Sequence, residues 1–136
     1  MRKSIFILTA LAAGHVLAAG EAPAREALEA FGGPMQQIVS EAAKGDRADL
    51  TTIAGHHAEA KTAWFKLTAK PLDLDQYGVP ADQQEEVWRQ VRTMGMLVGY
   101  IDEAVQRGDR ATVLLSAKLL APAYQKVSAA LNGHPK

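Results

Sequence analysis

With 136 residues, 15 basic and 15 acidic side chains and no cysteine, the chain has the length of one domain and no net charge. It lacks the basic field that nucleic acid requires and a polybasic patch for a membrane surface. Without thiols, disulfides, zinc–thiolate sites, covalently attached c-type haem and cysteine nucleophiles are excluded. The apolar residues are mostly Ala, Val and Leu, which favours helices over sheets.

The first twenty residues read as a secretory signal. Arg2 and Lys3 supply a positive start, Ile5 to Ala13 an apolar core, and Ala18, Ala19 and Gly20 small residues for cleavage. The apolar run is too short to span a membrane comfortably. Export to the periplasm is expected, with no membrane attachment after cleavage, leaving about 115 residues for one bundle core. Residues 21–33 form a lead segment, 34–133 the bundle and 134–136 a tail. In the lead segment Ala24, Ala27, Leu28 and Phe31 make a short helical pattern that Gly32-Gly33 stops, and whether the segment continues the next helix across the glycines or folds aside stays open. Pro34 then suits a helix start, where its missing N–H costs nothing.

A first bundle helix carries Met35, Ile38, Val39 and Ala42 and ends near Lys44-Gly45. Asp46 or Asp49 can cap the second, whose stripe is Leu50, Ile53, His57, Ala60, Trp64 and Leu67. Residues 70–80, with Pro71, Gly78 and Pro80, form the long connection. Asp82 and Glu85 form an acidic variant of a capping box before the third stripe. That stripe (Val87, Val91, Met94, Val98, Ile101, Val105) and the fourth (Val113, Ala117, Leu120, Tyr124, Val127, Leu131) are spaced in fours and threes, so each lies on one helical face. Pro122 within the fourth predicts a kink. The joints Lys44-Gly45-Asp46-Arg47-Ala48 and Arg107-Gly108-Asp109-Arg110-Ala111 match, as helix punctuation would. Short, long and short connections around four helices predict an all-α, antiparallel up-down-up-down four-helix bundle.

His15 falls in the signal and His134 in the tail, leaving His56 near the rim and His57 facing inward. Folding the chain at Gly45 brings Met35 within a turn of His57. An inward thioether and imidazole are the ligands of a low-spin b-type haem, although Met35, Met94 and Met96 also suit ordinary gap-filling in a core. Met35 and His57 are thus the candidate cofactor and metal ligands. Glu41, Glu59, Glu85, Glu86, Asp102 and Glu103 lack the inward Glu-x-x-His pairs of diiron bundles. There is no phosphate loop, HExxH or Ser/His/Asp set, so no enzyme is expected.

Leu97-Val98-Gly99-Tyr100-Ile101-Asp102-Glu103-Ala104, the joint led by Gly108, and Ala123-Tyr124 resemble cytochrome b562, as do the methionine of the first helix and the long middle connection. The resemblance implies an exported bundle holding noncovalent haem b between a first-helix Met and a fourth-helix His, and passing electrons to a redox partner protein. Met35 matches the first ligand. At the second, Gln125 follows Tyr124, or Ser128 after a gap, and neither ligates iron usefully. Three functions therefore stay open: a haem protein with an altered ligand set (Met35 and His57, or one ligand alone); a haemless relative binding a metal ion, small molecule or partner protein; and a purely structural bundle.

Overall fold

The fours-and-threes spacing resolves, in a computed structural model that describes residues 22–133, into four helices. They are α1 (Ala22–Ala42), α2 (Leu50–Thr68), α3 (Ala81–Arg107) and α4 (Arg110–Asn132). Each packs on the next and α4 returns to α1, as in an antiparallel up-down-up-down bundle. The interior is one continuous cluster that takes in Phe31, Ile38, Ile53, Met94, Ile101, Leu120 and Leu131. The expected signal segment, His15 and His134 lie outside the described residues.

The first correction concerns Gly32-Gly33. The helix does not stop there, and Pro34 does not start one: α1 runs through all three. Ala27, Leu28, Phe31, Met35 and Ile38 form one buried stripe on it. Burying Leu28 and Phe31 contributes about 1.5–3 kcal/mol each, against about 1 kcal/mol of lost propensity for each mid-helix glycine. Gly32 also serves the packing, because a Cβ there would run into the Tyr124 hydroxyl. Pro34 removes one donor to the Ala30 carbonyl, and Ala30 is exposed, so water can replace it.

Asp49 caps α2, accepting from the Thr51 amide (2.9 Å) and the Thr52 hydroxyl (3.1 Å). Asp109 caps α4 through the Thr112 amide (3.2 Å) and hydroxyl (2.7 Å). These bonds hold both carboxyls below the ordinary carboxylate range. The expected capping box of Asp82 and Glu85 does not form: α3 begins earlier, after Pro80, with no side-chain cap. Pro122 lies within an unbroken α4 on its exposed side, where the Lys118 carbonyl it leaves unpaired meets water.

The matching joints fold differently. Gly108 turns the chain with φ +69° and Asp109 caps α4 at once. Gly45 (φ +63°) instead opens a short 3-10 turn over Gly45–Arg47, and capping waits for Asp49. The two joints meet, because the Arg110 guanidinium donates to the Gly45 and Ala48 carbonyls. At the far end the long connection is a plug. Its 3-10 turn Leu74–Tyr77 packs on α4 and buries Leu74 and Tyr77. Arg25 lies over the Tyr77 ring at 5.1 Å and donates to the Leu131 carbonyl at 3.1 Å.

Candidate functional site

His57 is the buried histidine of α2, set in the stripe between Ile53 and Ala60 and 4% exposed. Neither ring nitrogen has a partner in hydrogen-bond geometry, although the Val98 backbone lies close enough to favour the protonated ring. The nearest charge is Asp102 of α3, whose Oδ1 is 3.7 Å from Nε2 and is held by Lys61 Nζ at 3.0 Å. Burial pushes the His57 pKa down, Asp102 pulls it up, and Lys61 pushes it down. The imidazole is therefore a neutral ring beside an ion pair that is already satisfied. His56 is half-buried at the rim of an open groove shared with Gly33, Pro34 and Gln37, its Nδ1 3.5 Å from Glu59.

Met35 is 2% exposed, on α1. Phe31 meets Trp64 at 6.2 Å between ring centroids and stacks on Tyr124 at 6.0 Å. In antiparallel helices that contact sets Met35 opposite Ala60 and Ile38 opposite His57. Met35 and His57 thus lie a turn apart, as folding at Gly45 suggested. Yet they belong to helices packed directly on one another through the buried Ala60 and Ala63. A macrocycle between axial ligands would have to part α1 from α2, and the next layer is filled by Phe31, Trp64 and Tyr124. On α4, Gln125 is exposed, while Ser128 is half-buried and accepts from Asn132 (3.3 Å). As packed, these residues do not fit a haem. Among the described residues no group of three or more His, Asp or Glu side chains could hold a metal ion.

The second candidate lies outside the bundle. Phe65 (61% exposed) on α2, Met96 (49%) and Tyr100 (48%) on α3, and Leu115 (59%) and Leu119 (50%) on α4 are large apolar side chains in water. Their placement follows from the packing. Trp64 covers Gly95, where a Cβ would sit 2.8 Å from the indole, so that side of α3 faces α2. Met96 and Tyr100 are a further 100° to 140° round the helix, outward and toward α4. On α4, Tyr124 marks the side toward α1, and Leu115 and Leu119 lie on the opposite one. Counting back from the Gly108–Asp109 joint, Tyr100 falls level with the middle of the Leu115–Leu119 pair. The four side chains therefore flank one seam, and Gly99 lies beside it on α3 with nothing within 4 Å of where its Cβ would be.

Sequence patterning brought out Met35 and His57 but not this face, and it named Asp102 only among the carboxylates that lack an inward Glu-x-x-His pair. The available signal was pairs four residues apart (Met96/Tyr100, Leu115/Leu119) falling off the main stripes. Three-residue steps along the main stripes conceal such pairs, because they are read only for what they bury. Comparisons of the chain with protein-family models, with curated proteins and with solved structures found no match.

Proposed function

We propose that the chain is an exported, haemless four-helix bundle that works by binding another protein across the outer face of α3 and α4, without catalysis of its own. The exposure of Met96, Tyr100, Leu115 and Leu119 along one seam carries this reading. Monomeric proteins seldom leave contiguous apolar patches of this kind unless they serve contact with something else. Two further observations support it: the carboxylate nearest His57, that of Asp102, is already paired with Lys61, and Met35 and His57 sit on helices that pack directly on one another.

A photo-crosslinking residue in place of Tyr100, in cells exporting the protein, tests it. Adducts that are absent when the probe replaces Gln37 on the opposite hairpin support the reading; equal labelling at both positions overturns it. Titration of the purified protein with haemin tests the haem function. No Soret band should develop; a strong band lost in His57→Ala would reinstate Met35 and His57 as ligands and electron transfer as the function. Export predicts that the periplasmic protein lacks about its first 20 residues, which N-terminal sequencing would read.

A further inference from the structure

We infer that the occupant of this face is a second copy of the same chain, laid antiparallel so that the two α3 helices cross at the level of Val98, one residue from the outward Gly99. The inference rests on the partner-binding reading above and names the partner.

The first observation is the symmetry of α3 itself. Arg92, Met96, Gly99 and Glu103 follow one another in steps of four, three and four on the outward side, all exposed. A two-fold axis through the level of Val98 maps Met96 onto the other copy's Tyr100, a thioether on an aromatic ring. The same axis brings Arg92 within a residue's rise of the other copy's Glu103. A two-fold contact is self-complementary by necessity, and here one axis serves an apolar pair and a charge pair together. It also brings Arg89 level with Arg107. Each has a carboxylate on its own chain that this pairing does not use, Glu86 for Arg89 and Asp109 for Arg107.

The second observation is Gly99. It lies mid-helix, its φ is not positive, and a Cβ would meet nothing in its own chain. Glycine there costs about 1 kcal/mol of helix propensity relative to alanine, with no return inside the monomer. A glycine beside the crossing point lets two helix backbones approach closely, which gives the residue a use. The third observation is area. Half of each of the four seam side chains amounts to roughly 400 Å² of apolar surface, the size of the largest single patch on many monomers. With the charged rim added, the roughly 800 Å² per partner of a stable complex is within reach.

The chain has no cysteine of its own, so a single introduced thiol reports the crossing. Under mild oxidation, Gly99→Cys should give a disulfide-linked pair, and Gly33→Cys on α1 should stay single. Light scattering on the purified protein should give twice the chain mass at tens of micromolar. Arg92→Glu should weaken association at least tenfold, and Arg92→Glu with Glu103→Arg should restore it. A single-chain mass up to several hundred micromolar, with no excess of Gly99→Cys linkage over the control, overturns the proposal. So does a double variant that stays apart although both single variants fold. The Tyr100 photoprobe separates this failure from failure of the wider reading. Adducts at twice the chain mass support both. Adducts only to other proteins leave partner binding standing and overturn self-pairing. No adducts specific to the face overturn both.

Discussion

Gly95 and Gly99 stand four residues apart on α3, and the molecule treats them in opposite ways. At Gly95 the missing side chain is filled by Trp64, which leans on Phe31, which stacks on Tyr124. At Gly99 nothing fills the space, although the exposed Met96 and Tyr100 stand on the same outer side of the helix. The inner glycine shows a helix made thin so that its own bundle can close. The outer one leaves a gap of the same kind that this bundle does not use. Small residues in a helix thus gain their meaning from what stands opposite them, and opposite Gly99 the chain itself places only solvent.

The largest way to break this contrast is from the inside. Phe31→Ala removes a fully buried ring that supports both Trp64 and Tyr124 and should cost about 3–5 kcal/mol in denaturant unfolding. A loss below about 1 kcal/mol would mean the layer can collapse around the gap. Gly95→Val, which must push Trp64 aside, should cost about 1–3 kcal/mol, with a visible change in tryptophan fluorescence.

His57 sharpens the inner side through pH. Its folded pKa lies below the ordinary value of 6.5, so the unfolded chain binds the proton more readily. Stability should be full above about pH 6.5, fall as pH drops through the unfolded value, and level off once the folded pKa is passed. His57→Leu should remove that slope and, by deleting two unpartnered nitrogens, stabilise the neutral protein by about 1 kcal/mol. A loss of stability at pH 8 would instead mean that the ring has a partner in solution.

On the outer side, Gly99→Ala should stabilise each bundle by up to about 1 kcal/mol, since the new methyl touches nothing, yet weaken association between copies in sedimentation. Opposite signs in those two measurements are the signature of an outward-facing helix crossing. The smallest effect belongs to Leu115→Gln, expected within about 0.5 kcal/mol of wild type for unfolding at concentrations where the chain is single.

Most of the fold could be read from periodicity, because burying a stripe every three or four residues is the strongest constraint a helical bundle imposes. Asp49 and Asp109 as caps were readable for a local reason, since a cap is a short-range hydrogen bond. What failed at Gly32-Gly33-Pro34 was a local rule outweighed by a non-local gain. Propensity argues for a stop, but Leu28 and Phe31 have a core to enter only if the helix continues. Likewise Asp82 suits a cap, yet Pro80 starts α3 before Asp82 can serve. At the candidate site, His57 was readable as an inward histidine because its own helix decides its direction. Asp102 and Lys61 were not, because their proximity depends on how α2 and α3 are set side by side. The outer face stayed hidden for the opposite reason, since a residue that packs on nothing within its chain leaves little periodic trace.

The contact of Arg25 with the Leu131 carbonyl has a consequence for how the molecule can be handled. It puts the beginning of α1 and the end of α4 at one pole of the bundle, while Arg110 ties both tight turns together at the other. Since α3 has 27 residues, the poles stand roughly 40 Å apart. Whatever precedes residue 22 or follows residue 133 therefore leaves from a single pole. In the antiparallel two-fold pair these exits point away from each other, so tags or fused domains at both termini can be carried without crowding the shared face.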